Sequence, residues 1–103
     1  MAHPFGVATV ETLTGHRTLT AAEIASTNIF SFDPGGAVRN LILPAEATSA
    51  GQVLFINNSA DADEVITILD DASGYTVCTP GQDEAAVIWC DGVSWFGGVG
   101  SGA

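Results

Sequence analysis

The side chains of this chain that could carry out covalent chemistry are few. Two histidines (His3, His16) and two cysteines (Cys78, Cys90) occur without the spacing of a zinc site, and a disulfide cannot be deduced from the two cysteines. No Gly-x-Ser-x-Gly segment is present, so the turn that exposes a nucleophilic serine is missing. The sequence therefore predicts surface histidines, buried thiols and no catalytic residues. We expect a protein that is not an enzyme and that binds no cofactor and no metal.

Acidic residues offer the other possible chemistry. They cluster at residues 61–64, 70–71 and 83–84, in segments that are predicted to be loops. The first cluster supplies the oxygen ligands that calcium prefers, but it lacks the glycine turn and the distal glutamate of an EF-hand loop. A glycosidase would need two acids facing each other across a cleft, and distances along the chain do not reveal such a pair. The pattern favours carboxylates that are solvated in turns.

The balance of charged and apolar residues limits the possible partners. Twelve carboxylates and two arginines give a formal net charge of −10, whereas 47% of the 103 residues are hydrophobic and only 14% are charged. So acidic a chain cannot neutralise phosphates, which argues against nucleic acid and against an anionic membrane surface as partners. A single domain of this size has little interior in which to hide its apolar excess. We therefore expect part of that excess to lie at a subunit or partner interface.

The sequence also bears on where the protein is found. No stretch reaches the roughly 18–20 apolar residues of a membrane span, and the first residues do not have the pattern of a signal peptide. We expect synthesis in the cytoplasm, with the chain either remaining there or leaving as part of a larger particle.

Short apolar runs separated by turn residues make up most of the chain, which predicts β-strands. Eight or nine such runs recur at roughly 9–12-residue spacing, which is typical of an all-β fold: an antiparallel β-sandwich or a jelly-roll-like barrel. The run at residues 53–56 is apolar at every position, which indicates a central or interface strand. Asp91-Gly92 lies between two apolar runs and predicts a tight hairpin with a type I′ turn.

One or two short helical turns interrupt the strands. Thr20 and Glu23 have the spacing of a capping box, which predicts a short helix within residues 19–25. Pro44 suits the first position of a second turn at residues 44–47.

The two ends of the chain differ from the strand region. Residues 1–9 contain Pro4 and Gly6 and have no helical period, so we expect an extended N-terminal arm. Residues 10–98 are expected to form the β-sandwich domain. Residues 99–103 are small and glycine-rich, which predicts a flexible tail.

Aromatic side chains are the remaining candidates for a binding site. Tyr75, Trp89, Trp95 and Phe96 could stack on sugar rings, but three of the four lie in predicted strands beside aliphatic residues, which is typical of packing. Arg39 is one of only two cations and is expected to pair with a carboxylate, as arginine does at interfaces. The residues expected at a subunit or partner interface are Phe5, Phe30, Phe32, Arg39, Trp95 and Phe96.

Four motifs follow one another along the chain: Leu-Thr-Ala-Ala at residues 19–22, Leu-Pro-Ala at 43–45, Gly-x-x-x-Phe-Ile-Asn at 51–57 and Asp-Gly-x-Ser-Trp at 91–95. In their order, over about 75 residues, the chain resembles the small β-structured head-decoration (cement) proteins of tailed bacteriophages. The resemblance implies a homotrimer on the outer surface of the icosahedral head, bound to the major capsid protein and stabilising contacts between capsomers. It implies no catalytic residues. The phenylalanine of the third motif, which is shifted by one position, the absence of lysine and the net charge are departures from the family pattern.

The same layout occurs in tail-fibre modules, which gives an alternative function. The protein would then be a carbohydrate-binding or fibre module of a phage tail or receptor-binding apparatus, with aromatic side chains stacked on a glycan. For the decoration protein we expect a virion location, on the outside of the capsid, after synthesis in the host cytoplasm.

Overall fold

Nine β-strands account for most of the residues that the computed structural model describes, which are residues 7–72 and 74–101. The strands are β1 (Val7–Thr12), β2 (Arg17–Thr18), β3 (Ile29–Asp33), β4 (Arg39–Ile42), β5 (Val53–Asn58), β6 (Ile66–Leu69), β7 (Thr76–Cys78), β8 (Glu84–Cys90) and β9 (Trp95–Ser101). Within the same ranges the helical elements are α1 (Ala21–Ser26) and a 3₁₀ turn at Glu46–Thr48. The all-β fold class with short helical turns is confirmed.

The strands form two mixed sheets, which differs from the antiparallel arrangement expected. The first sheet has the order β1-β3-β5-β8-β9, and the second has the order β2-β4-β6-β7. β1, β3 and β5 pair in parallel, as do β2, β4 and β6. The pairs β5–β8, β6–β7 and β8–β9 are antiparallel. The prediction of antiparallel pairing is therefore wrong for the pairs that the first six strands form among themselves.

The parallel pairing follows from the path of the chain. Consecutive strands from β1 to β6 alternate between the first and the second sheet. A chain that crosses to the other sheet and then returns lies beside its earlier strand in the same direction, whereas a tight hairpin would have reversed it. Turn residues mark where a strand ends, but they do not indicate which sheet receives the next strand.

Alternate residues of both sheets meet in one hydrophobic core. In β5, Leu54 and Ile56 are fully buried, and in β8 the buried Ala86 and Ile88 alternate with exposed neighbours. The same core includes residues of the second sheet and of α1, among them Ile24, Leu41, Ile66 and Ile68. Each fully buried leucine or isoleucine contributes roughly 1.5–3 kcal/mol relative to an exposed one.

Helix α1 confirms the predicted capping box. The Thr20 side chain accepts a hydrogen bond from the backbone N–H of Glu23 (3.2 Å), and the Thr20 backbone N–H donates to Glu23 Oε1 (2.9 Å). Ile24, on the opposite side of the helix, is 1% exposed and anchors the helix to the core.

The ends of the domain lie further out than the composition indicates. β1 begins at Val7, so three residues of the segment predicted as an arm belong to a strand, with Val7 opposite Ile29 of β3, and residues 1–6 lie outside the described residues. β9 continues to Ser101, so residues 99–101 of the predicted tail pair with β8, and residues 102–103 lie outside the described residues. Gly97 has a packing reason to be glycine, because a Cβ there would collide with Ile88 Cγ2 and lie 2.7 Å from the carbonyl oxygen of Val87.

The hairpin between β8 and β9 is present, but its turn is wider than predicted. Cys90 pairs with Trp95, so the loop comprises residues 91–94, and only Gly92 among them has a positive φ (95°). Asp91 Oδ1 accepts hydrogen bonds from the backbone N–H groups of Ser94 and Val93, at 2.8 Å each. These bonds hold the pKa of the Asp91 carboxyl below its usual value. They also stabilise the four-residue loop, which replaces the predicted type I′ turn.

Candidate interaction face

The outward side chains of the first sheet form a continuous apolar surface. Because successive residues of a strand point to opposite faces, the residues between the buried positions of β3, β5, β8 and β9 share the outer side. Across the sheet, Val53 lies beside Trp89 and Trp89 beside Phe96, while Ile29, Phe55 and Val87 form the next row. We call this surface the apolar face; it consists of Ile29, Val53, Phe55, Val87, Trp89 and Phe96.

The aromatic pair of the apolar face is strongly exposed. Trp89 is 44% exposed and Phe96 is 46% exposed, and their rings stack with centroids 6.4 Å apart and planes 25° apart. Val53 and Val87 flank the pair at 39% and 37% exposure. Large apolar side chains grouped in this way, rather than scattered singly, are characteristic of interaction sites.

Charged residues are absent from this part of the sheet. The outward positions of β5, β8 and β9 are residues 53, 55 and 57, residues 85, 87 and 89, and residues 96, 98 and 100, and none of these nine is charged. The chain has a net charge of −10, so its acidic residues lie elsewhere on the surface. Depletion of charge at the centre of a patch is the compositional mark of an interface core.

Three of the predicted interface residues lie in the core instead. Phe30, Phe32 and Trp95 are at most 5% exposed, and the rings of Phe30 and Phe32 stack on each other with centroids 5.9 Å apart. The indole Nε1–H of Trp95 donates to the carbonyl oxygen of Pro44 at 2.9 Å. Their assignment to an interface is corrected by this burial, because side chains this covered offer no surface to a partner.

Phe96 lies on the apolar face, and the other two predicted residues do not. Arg39 is half-buried, and its Nε–H donates to the carbonyl oxygen of Pro34 at 2.8 Å. Within residues 7–72 and 74–101 the ion pairs are made by Arg17, so the predicted carboxylate partner of Arg39 is not found there. Phe5 lies outside the described residues.

Arg17 has a structural role at the edge of the core. Its guanidinium contacts Glu23 at 2.6 Å and Glu11 at 3.0 Å and lies 6.0 Å from the ring centroid of the buried Phe32. The hydrogen bonds from Arg17 lower the pKa of Glu23 to about 2. Arg17 of β2 therefore links Glu23 of helix α1 with Glu11 of β1, and the charges of Arg17 and Glu23 are compensated within the chain.

Two groups of carboxylates are close enough to hold a hard cation such as Ca²⁺. Asp33, Asp61 and Glu64 bring carboxylate oxygens within 4.8 Å of one another, and Glu64 Oε1 is buried without a hydrogen-bond partner. The sequence cluster at residues 61–64 contributes two of these three acids, and β3 supplies the third. The structure does not add Asp63 to this group.

The second carboxylate group mainly organises turns. Asp70 lies within 4.8 Å of Glu46 and Asp71, and its Oδ1 accepts hydrogen bonds from the backbone N–H groups of Gly74 (2.5 Å) and Tyr75 (3.2 Å). In the third sequence cluster, Glu84 Oε1 accepts from the backbone N–H of Gly81 at 2.6 Å. These acids close turns, as predicted, but Asp70 is buried (8% exposed) and not solvated.

The histidine and cysteine side chains of the described ranges do not converge. His16 is exposed, and its Nδ1 accepts from the backbone N–H of Asn40 at 2.9 Å. Both cysteines are free thiols; Cys90 is buried as predicted, whereas Cys78 is half-buried. Burial raises the pKa of Cys78 to about 11 and also raises the pKa of Cys90, so both remain protonated at neutral pH. His3 lies outside the described residues.

The sequence indicates about half of the apolar face. Trp89 is predicted only as one of the aromatic residues that could stack on a sugar, and Ile29 and Val87 are not singled out. Phe96 is a predicted interface residue, and the run at residues 53–56, apolar at every position, indicates a central or interface strand. Val53 and Phe55 of that run point outward, while Leu54 and Ile56 point into the core.

Comparisons with known proteins do not assign the chain. No protein-family model, no curated protein and no solved structure matches it. In the part of the chain that the structure describes, no helix has the length and apolar character that a bilayer crossing requires.

Proposed function

We propose that the protein is a structural component of a virus particle: a decoration protein that binds the outer surface of an icosahedral bacteriophage head as a homotrimer. The support from sequence is the ordered set of four motifs that resemble such proteins. The support from structure, and the observation that carries the proposal, is the apolar face with its exposed Trp89–Phe96 pair. In this proposal the two sheets are the layers of a β-sandwich, and the first layer turns its outer side towards the capsid.

The exposed aromatic area is large enough to matter for binding. An aromatic side chain covers about 150–250 Å², so Trp89 and Phe96 each leave on the order of 100 Å² uncovered at their present exposure. Burying that area yields roughly 2–3 kcal/mol for each ring before the cost of association is subtracted. A trimer would present three such faces to one capsid, and the effective concentration of the second and third contacts multiplies a weak single affinity.

The charge distribution is consistent with a protein partner on the shell. The apolar face carries no charge, whereas the rest of the surface is acidic. The acidic surroundings would oppose contact with phosphate groups or with an anionic bilayer. The partner that this surface suits is the exposed side of the major capsid protein.

The proposal is tested by binding to heads that lack the protein. Purified protein is mixed with such heads and separated by sedimentation, and the oligomeric state of the free protein is measured at micromolar concentration. We expect a trimer that coats the heads. The double substitution Trp89→Ser with Phe96→Ser should reduce the affinity by on the order of a thousandfold or more, since two rings at roughly 2–3 kcal/mol each contribute about 4–6 kcal/mol and each 1.4 kcal/mol corresponds to a factor of ten.

A matched control shows whether binding depends on the apolar face or on exposed apolar side chains anywhere on the surface. Val38 is 56% exposed in the connection between β3 and β4, away from the apolar face, and Val38→Ser should leave binding unchanged. A protein that sediments as a monomer and does not coat the heads would contradict the proposal. So would equal losses in the two variants.

The Trp89–Phe96 stack also favours a second function, glycan binding by a tail or receptor-binding module. Exposed aromatic rings stack on sugars, but a glycan site also needs polar groups that fix the orientation of the ligand. The neighbours of the pair in the sheet are Val53, Val87 and Gly98, which supply no polar side chain. A glycan array decides between the two: binding that is lost in Trp89→Ser, together with no binding to heads, would select the glycan module.

A further inference from the structure

Strand β9 forms one edge of the first sheet; β7 lies close to it and Tyr75 covers the backbone of Trp95, but the strand carries no protective charge or proline of its own. Natural edge strands carry lysine, proline, bulges or inward-pointing charges that prevent pairing with another chain. β9 is seven residues long, pairs with β8 without a register shift and contains neither a charged residue nor a proline. The other edge of the same sheet, β1, carries Glu11.

The hydrogen-bonding groups of β9 alternate between β8 and the open edge. Cys90 donates to Gln52 and accepts from Gly51, so its backbone faces β5, and its pairing with Trp95 is of the type without hydrogen bonds. The backbone N–H and C=O of Trp95 therefore point away from β8, where the Tyr75 hydroxyl accepts from the first (3.1 Å) and donates to the second (2.8 Å).

Two residues further along β9 repeat this orientation. Because the pattern has a period of two, the N–H and C=O groups of Gly97 and Val99 also point to the open edge. The structure shows no backbone hydrogen bond from these groups to another element among residues 7–72 and 74–101. Gly98, between them, is exposed, and its own backbone pairs with Val87.

The side chains of β9 complement a second copy of the same strand. In an antiparallel pairing centred on Gly98, Phe96 lies opposite Gly100 of the second copy, and Gly97 lies opposite Val99. No heavy atom lies within 4 Å of the Cβ positions at Gly98 and Gly100, so the facing Phe96 ring has room. Neither strand brings a charge to the contact, so the net charge of −10 does not place like charges against each other there.

We propose that β9 pairs with β9 of a second copy across a two-fold axis at Gly98, which joins two first sheets into one ten-stranded sheet. Gly97 and Val99 then form two hydrogen-bonded pairs, each of which exchanges two N–H···O bonds. Tyr75 ends the pairing, because its hydroxyl already occupies the backbone groups of Trp95. The apolar faces of the two copies lie on the same side of the joined sheet.

This inference goes beyond the proposed function, because it concerns a second copy of the chain and not the capsid. An edge contact of about five residues is far smaller than the roughly 1,200–2,000 Å² of a stable interface, so the free association is weak. On a head, the contact would link copies that belong to neighbouring trimers. There, the lattice supplies the high effective concentration that a weak contact needs.

Disulfide trapping tests the register. In the proposed pairing, two Gly98 residues face each other at a position without hydrogen bonds, where Cβ atoms approach to within about 4.5–5.5 Å, close to disulfide geometry. Gly98→Cys should therefore give a disulfide-linked dimer under mild oxidation in about 0.3 M salt, read on a non-reducing gel. Gly100→Cys, which would face Phe96, should give at least fivefold less dimer. The unsubstituted protein controls for Cys78 and Cys90.

A second measurement keeps the test decisive if either cysteine variant folds poorly. Val99→Pro removes an N–H that points to the open edge, which the single chain tolerates but the pairing does not. Val99→Thr keeps that N–H. Sedimentation of the unsubstituted protein is expected to show weak, concentration-dependent association beyond the proposed trimer; this association should persist in the threonine variant and disappear in the proline variant. Equal cross-linking at positions 98 and 100, or equal association of the two Val99 variants, would overturn the pairing, whatever the result with heads.

Discussion

The outer sides of the two sheets have opposite character. On the first sheet, the apolar face presents tryptophan, phenylalanine and valine side chains. On the second sheet, the outward residues are Thr18, Asn40, Ile42, Thr67, Leu69 and Thr76. The large apolar members of that set, Ile42 and Leu69, are only half-exposed, and threonine or asparagine lies beside them. The outer side of the second sheet is therefore largely polar, whereas that of the first sheet is apolar.

The largest expected effect comes from comparing a substitution on the buried side of the first sheet with one on its apolar face. Trp95→Ala removes a core side chain together with its hydrogen bond to Pro44 and should lower the free energy of unfolding by about 3–5 kcal/mol. Trp89→Ala removes a half-exposed ring from the apolar face and should cost about 1 kcal/mol or less. Urea unfolding at pH 7 measures both. Similar losses in the two variants would mean that the apolar face stabilises the single chain and does not await a partner.

The next effect concerns how the last strand of the first sheet packs. Gly97→Ala places a methyl group against Ile88 and the carbonyl oxygen of Val87 and should destabilise the protein by about 1–3 kcal/mol. Gly98→Ala points into open space on the outer side and should change the free energy of unfolding by less than about 0.5 kcal/mol. Thermal unfolding of the two variants provides the measurement. A tolerant position 97 would show that β9 is not held against β8 as described.

A smaller effect is expected from the Arg17–Glu23 ion pair, which lies away from the apolar face. Glu23→Gln keeps a capping-box residue but loses the ion pair with Arg17, and we expect a loss of about 1 kcal/mol at pH 7, since both side chains are partly exposed and solvent screens the pair. The folded-state pKa of Glu23 is lowered from 4.5 to about 2, so its stabilising contribution is present above pH 4.5 and disappears as the pH falls to 2.

Chemical unfolding of the two proteins between pH 7 and pH 2 follows this difference. The curves of wild type and Glu23→Gln should converge at the acidic end. Asp63→Asn, at an exposed acid outside the carboxylate groups, serves as the control, and its unfolding curves should follow those of the wild type at both ends of the pH range. A gap that persists unchanged at pH 2 would contradict the assigned role of the Arg17–Glu23 pair.

The variant with the smallest expected effect on stability makes the outer side of the first sheet resemble that of the second. Val53→Thr with Val87→Thr gives two outward strand positions the chemistry found at Thr67 and Thr76, and the free energy of unfolding should change by less than about 1 kcal/mol. Binding to heads should nevertheless weaken by about tenfold, because the flank of the aromatic pair has become polar. Unchanged binding would restrict the contact to Trp89 and Phe96.

Much of the fold could be predicted from the sequence, because local signals carry it. Turn residues and apolar runs located eight of the nine strands, and the spacing of Thr20 and Glu23 located helix α1. The two-residue strand β2 is too short to leave a pattern. The pairing direction could not be predicted, because it depends on which sheet each strand enters, and no residue type encodes that choice.

The candidate site was harder to predict, because outward and inward aromatic residues look alike in a sequence. Trp95 and Phe96 are neighbours, and only the alternation of the strand places the first in the core and the second on the surface. The glycines of β9 were misleading for a different reason. A run of small residues is typical of a linker, but here position 97 is a glycine because the Ile88 side chain leaves no room for a Cβ.

The β8–β9 hairpin supplies Val87, Trp89 and Phe96, half of the apolar face, and it joins the sheet only by pairing with β5. Before residues 84–101 dock on β5, only Ile29, Val53 and Phe55 of the apolar face are in place. Under the proposed function, docking of the hairpin would therefore complete the surface that binds the partner.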